Sequence, residues 1–349
     1  MSRDADELQL SEDLPVGGQA VIEGVMVRAR ERIVTAVRTP DRGIVVREER
    51  HIPWAKRLRP LAVPVLRGAV SFFEMMLVGM RALSFSADVA MEAEEAEEGK
   101  APRERDSSSG WKQSLMMGVT LVVSLALGVA IFFFLPLFLA QLTGVARDAL
   151  QFNLVAGAVR MTLLLGYMWG IGRWGEIRRV FEYHGAEHKS IFTVESGADL
   201  TVEQARQHGR LHPRCGTSFL LIVVLVSILV FALVDTAFVH VFGHAQSLLE
   251  RFATHLSVLP LVSGLSFELL KLSGRKRHHP LTRVLIAPGL WLQRITTQEP
   301  SDDQLEVALV AVRHALGKPA LVEYSVVGDD PAASAGATSQ TAAGAAPSS

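Results

Sequence analysis

Between Lys112 and Arg147 the chain carries no charged residue, and between Arg214 and Asp235 lie twenty more uncharged positions. The second run includes Leu220, Ile222, Val224, Leu225, Ile228, Leu229 and Phe231. A helix needs about 20 apolar residues to cross the hydrocarbon core, and inside a bilayer the backbone must satisfy its own hydrogen bonds. Both runs therefore predict spanning helices. Two weaker runs, roughly 151–172 and 252–272, are interrupted by Arg160 and Glu268 and predict two further spans.

Basic residues set the orientation of such a chain. Lys100, Arg103, Arg105 and Lys112 precede the first span. Arg173, Arg178, Arg179, Lys189, Arg206, Arg210 and Arg214 fall between spans two and three, and Lys271, Arg275, Lys276, Arg277 and Arg283 follow span four. The two opposite loops hold one arginine each, Arg147 and Arg251. This alternation predicts a plasma (inner) membrane protein with both termini and the 173–214 connection in the cytoplasm. Residues 1–14 are polar and acidic and do not read as a secretory signal. With 35 Lys+Arg against 36 Asp+Glu, the charge is too balanced to suggest a nucleic-acid partner. The single cysteine, Cys215, excludes an intrachain disulfide and suits a reducing compartment.

The expected fold class is mainly α: a polytopic membrane protein with four transmembrane helices, one interfacial or re-entrant helix and a small N-terminal cytoplasmic β-sheet. Residues 1–15 read as a disordered acidic arm. A β region covers 16–60: Ile33–Arg38 and Ile44–Glu49 flank Thr39-Pro40-Asp41-Arg42-Gly43, whose Pro, Asp and Gly favour a bend. In 61–91, Arg67, Glu74 and Arg81 recur every seven residues, a narrow helical stripe joined by Ser71 and Asp88. Such a helix is expected to lie in the interface. A polar linker occupies 92–111, and 112–275 holds the four spans. In 276–317, Pro288-Gly289-Leu290-Trp291-Leu292 resembles an interfacial anchor, and Ser301-Asp302-Asp303-Gln304 starts an amphipathic helix with a capping box. Residues 318–349 are expected to be a disordered tail.

The chemistry concentrates at two ends of the 173–214 connection. His184-Gly185-Ala186-Glu187-His188 has the His-x-x-Glu-His pattern of inverzincins, in which the histidines hold zinc and the glutamate activates water. On a helix, positions 184 and 188 lie one turn apart on one face, with 187 beside them. The other end, His212-Pro213-Arg214-Cys215, adds an imidazole and a thiol. Three protein ligands plus water make a catalytic zinc site, and four make a closed structural one. Cys215 begins a span, where the helix dipole favours thiolate; it reads as a ligand ahead of a nucleophile or a palmitoylation site. Glu187 is the general-base candidate, with second-shell orientation or a salt bridge as the plainer alternatives. Glu268 has an intramembrane pair with Lys271 as its plain account and a ligand or base role as its sharper one. Arg160 requires an acidic or carbonyl partner. His240 and His244 share the i,i+4 spacing but lie in an outer loop without a carboxylate.

Four segments together resemble the YqhQ-like family of uncharacterised multi-pass membrane proteins: Gly17 to Met26, Tyr183 to Lys189, His212 to Ser218 and Pro288 to Gln293. The resemblance covers about 15–315. It implies a membrane location and a metal-dependent enzyme, and it carries Glu23, His184, Glu187, His188, His212 and Cys215 as motif positions. The leading expectation is thus a membrane-embedded zinc-dependent hydrolase at the cytoplasmic interface, acting on a lipid, a membrane peptide or an amphiphilic metabolite. His184 and His188 bind the metal, His212 or Cys215 completes its sphere, Glu187 activates water, and Glu23 and Glu268 are accessory candidates. A structural metal site and a transporter or metal-handling protein are the alternatives.

Overall fold

The computed structural model describes residues 16–57, 60, 63–97, 110–145, 150–213, 215–275, 280–327 and 338–340. The expected acidic arm and most of the polar linker lie outside the described residues. The protein is mainly helical with a small sheet.

Four strands open the chain: β1 (Val16–Val21), β2 (Gly24–Ala29), β3 (Arg32–Arg38) and β4 (Ile44–Arg50). They form an antiparallel meander whose first two turns place Glu23 and Arg30 at positive φ. At the third turn the Gly43 amide donates to Asp41 Oδ1 at 3.2 Å, so the expected bend is closed by the aspartate side chain. Two short C-terminal strands extend the sheet: β5 (Tyr324–Val327) runs parallel to β4, and β6 (Thr338–Gln340) pairs antiparallel with β5. This corrects the expected tail: 318–349 is not wholly outside the fold. Tyr324 is buried against the sheet cluster, which gives the extension an anchor.

Besides a single helical turn at Trp54–Arg57, the helices among the described residues are α1 (Leu66–Glu97), α2, α3 (Leu150–Ile171), α4 (Gly175–Glu195), α5 (Val202–Gln207), α6 (Gly216–Phe242), α7 (Leu248–Arg275), α8 (Pro280–Thr296) and α9 (Asp302–Ala315). α2 begins as Gly110–Val129, passes through a π-turn at Ala130–Phe134 and resumes as Leu135–Gln141. Five stretches are long and apolar enough to cross a membrane: Leu66–Glu92, Gly118–Gln141, Leu150–Ile171, Gly216–Phe242 and Leu248–Leu272. The last four are the expected spans. The first is the segment for which an interfacial position is expected.

The sheet is buried on both faces, which explains the continuous apolar runs of β2 and β3. Val25, Val27, Val34 and Ala36 pack with Tyr183, Ala186 and Ile191 of α4 and with Leu305, Ala308 and Val312 of α9. The alternate residues Val21, Met26, Ile33 and Val37 meet Val78, Ala82 and Phe85 of α1. α9 starts at the expected capping box, with Ser301 and Gln304 bonded reciprocally. The N-terminal part of α1 lies on α7, where Gly68 faces the Gly264 backbone and Arg67 grips Glu268 through two hydrogen bonds of 2.7 Å. At Arg67 and Glu74 the polar stripe of α1 thus faces protein, whereas Arg81 and Asp88 further along it are exposed. Glu74 in that stripe is buried and accepts from the Trp54 amide at 2.8 Å.

Candidate metal centre

α4 carries the His-x-x-Glu-His motif and is clasped between the sheet and the segment after α8. Gly185 permits this clasp, because a Cβ there would stand 2.1 Å from the Gln298 carbonyl oxygen. In return, the Gln298 amide donates to the Phe181 carbonyl at 2.8 Å. The helix therefore turns Glu187 and His188 inward, both buried, with His184 half-buried beside them.

His184 Nδ1 faces the Thr296 carbonyl at 2.8 Å, and its Nε2 lies 3.1 Å from Cys215 Sγ. His188 Nδ1 faces the Arg210 carbonyl. A carbonyl only accepts, so each Nδ1 carries the proton and each Nε2 keeps its lone pair. Backbone anchoring of this kind orients metal-binding histidines. His188 is fully buried and its Nε2 makes no hydrogen bond. Cys215, the N-cap of α6, accepts from the Thr217 amide at 3.3 Å, which holds its sulfur toward the imidazoles. One ligand atom each from His184, His188 and Cys215 lies within 4.8 Å of the others. Tetrahedral zinc bonds of about 2.0–2.3 Å separate neighbouring ligands by about 3.6 Å, so the set is close to the required size.

Glu187 Oε2 lies 3.5 Å from His188 Nε2, and the Glu187 side chain is buried. Burial pushes its pKa upward, opposed by His184, His212 and the Gly18 amide. β1 forms the lid over this carboxylate: a Cβ on Gly18 would stand 2.8 Å from Glu187 Oε1. Burial lowers the pKa of His188, opposed by the neighbouring Cys215.

The other expected site residues lie elsewhere. His212 does not join the three-ligand set: its ring Nε2 lies 3.2 Å from Glu195 Oε1, and its ring packs on Phe192 at 4.5 Å. The cause is Gln293, which clamps the His212 backbone through its side-chain oxygen and nitrogen at 2.7 Å each. Gln293 also donates to Ser218 at 3.0 Å, so this one amide ties α8 both to the loop before α6 and to the first turn of α6. Its position in the Pro288–Gln293 segment was visible in the sequence, but its partners were not. Glu23 accepts from Arg179 and from Tyr183 Oη at 3.3 Å, a latch between sheet and helix rather than a ligand. It and burial together push the Tyr183 phenol upward, with burial the larger cause. Glu268 is held by Arg67 on α1 and not primarily by Lys271.

Residues 63–318 match a family described as "Protein of unknown function (DUF1385)". A relative from Bacillus subtilis (strain 168), described as "Uncharacterized protein YqhQ", is 36% identical over 315 residues, covering 88% of this chain and 94% of the relative. No solved structure matches.

Proposed function

The chain belongs to the DUF1385 family, and from that premise we propose that it is a zinc-dependent hydrolase of the inner membrane, working at the cytoplasmic interface. The observation that carries this reading is the buried, unbonded His188 Nε2, which faces the same small space as His184 Nε2 and Cys215 Sγ. A buried imidazole nitrogen without a partner is costly, and a cation relieves that cost. Two imidazoles and a thiolate suit zinc better than magnesium or calcium.

Zinc held by His184, His188 and Cys215 would supply Lewis acidity there. A set of three protein ligands, His184, His188 and Cys215, would suit catalysis better than a four-ligand structural staple. Glu187 takes up and returns the proton, a role suited to a carboxyl raised by burial and set beside the ligands. Gly18 keeps the lid thin enough for that carboxylate to sit beneath it. His212 and Gln293 position the loop that delivers Cys215. Four spans with α1 lying in the interface fit this arrangement, because α1 contacts both the sheet and the C-terminal half of α7. Exposed Phe73, Met76, Met80, Leu83 and Met91 form its opposite, apolar face.

Elemental analysis of detergent-purified protein tests the reading. Stoichiometric zinc is expected in the wild type and in Glu187→Gln, and none in His184→Ala or Cys215→Ser. Cellular function is expected to be lost in Glu187→Gln; normal function with metal retained would overturn the catalytic role.

A further inference from the structure

A cavity of about 330 Å³ opens where α3 ends, α4 begins and α8 ends, lined by Trp169, Arg173, Arg178, Arg294, Ile295 and Gln298. We propose that this cleft binds the phosphate of an anionic lipid headgroup. It shares none of the metal centre's ligands.

Three arginines from three separate elements line one space. Arg173 stacks on Trp169, its guanidinium carbon 4.3 Å from the ring centroid, which fixes it on the wall of the cleft. Arg178 is partly compensated by Glu182 at 3.5 Å. Among the described residues, neither Arg173 nor Arg294 makes an ion pair with a carboxylate. The cleft therefore holds a surplus of positive charge, in forks whose paired N–H groups match phosphate oxygens.

The surrounding aromatics set its depth. Tyr167 and Trp169 occupy the last turns of α3 and are 50% and 55% exposed, Trp174 follows at 68%, and Trp291 of α8 stands at 51%. Tyrosine and tryptophan collect at the headgroup level of a bilayer, and basic clusters there attract anionic lipid. A zwitterionic headgroup would bring its own cation against three arginines. A lipid anion fits better.

The cleft also has a short connection to the catalytic candidates. Arg178 precedes His184 by six residues on α4, about 9 Å of helical rise. Arg294 stands two residues before Thr296, whose carbonyl anchors His184. As a substrate-holding site the cleft rests on the proposed hydrolase; as a binding site it needs no metal.

Native mass spectrometry on zinc-free, detergent-purified full chain separates these statements. The probes are dioleoyl phosphatidylglycerol, dioleoyl phosphatidylcholine and inorganic phosphate. Wild type is expected to retain phosphatidylglycerol in preference to phosphatidylcholine, and millimolar phosphate should not displace it. The Arg173→Gln/Arg294→Gln variant should bind phosphatidylglycerol about tenfold more weakly, whereas Arg32→Gln/Arg50→Gln on the sheet should match wild type. Raised salt should weaken phosphatidylglycerol retention in wild type, a measurement that needs no variant. Equal retention by the cleft variant, an equal loss in the sheet variant, salt-insensitive retention, or displacement by free phosphate would each overturn the lipid site. Because zinc is absent throughout, failure here leaves the metal reading standing.

Discussion

At the level of single residues, the centre depends on how closely β1 approaches α4. A Cβ at Gly18 would lie 2.7 Å from the Met26 carbonyl oxygen and 2.8 Å from Glu187 Cγ, whereas one at Gly17 meets nothing within 4 Å. Gly18→Ala should therefore destabilise the protein by about 1–3 kcal/mol, read as a lower Tm in detergent, while Gly17→Ala leaves it unchanged. His184, His188 and Cys215 were legible because helical spacing and a cap position are local properties. The place of His212 was not, because it depends on an amide 81 residues away in the chain. Zinc content gives the check: folded His212→Ala should keep its metal, and folded His188→Ala should lose it. Equal loss from both would return His212 to the ligand set.

At the level of elements, α4 is held by a crossing that tolerates no side chain. Gly185→Ala would drive a methyl into the Gln298 carbonyl, so the clasp must open. A loss of about 1–3 kcal/mol or failure to fold is expected, against no change in Tm for Gly175→Ala, where a Cβ meets nothing within 4 Å. Deeper in the bundle, α6 and α7 share a second polar cluster. Asp235 meets Arg251 at 3.1 Å and His255 at 2.8 Å, all three buried. Asp235→Asn removes the carboxylate while the guanidinium stays buried, a loss of about 3–5 kcal/mol by thermal unfolding in detergent. Asp235→Asn/Arg251→Met should recover part of it; additive losses would show the two side chains to be independent. The long apolar helices and the N-terminal strands were readable as apolar runs and turn chemistry. The partner of Arg160 was readable only as a type: it is the Phe132 carbonyl at 3.0 Å, inside the π-turn of α2. Widened turns leave carbonyls available, and nothing in the local sequence marks where the turn widens.

At the level of the whole molecule, the question is on which side of the bilayer the sheet lies. Its two faces are covered by helices remote in sequence: α4 and α9 on one, α1 on the other. The sheet must share a compartment with α4, and the proposed function puts that compartment on the cytoplasmic side. If α1 crossed the bilayer, its ends would lie on opposite sides, although Arg67 near its start touches the end of α7 and Phe85 beyond its middle touches the sheet. The proposed placement of α1 along the interface accommodates both contacts, with Arg67 and Glu74 inward and the apolar face in lipid. Composition alone did not separate the two placements, since the stretch is long and apolar enough to span. The single cysteine makes the distinction measurable. In a Cys215→Ser background, a cysteine at Gly43, in the turn between β3 and β4, should resist a membrane-impermeant maleimide in intact spheroplasts and react after lysis. A cysteine at Gly243, at the far end of α6, should react before lysis. Labelling of the Gly43 position from outside would put the sheet on the wrong side and remove the interfacial placement of α1.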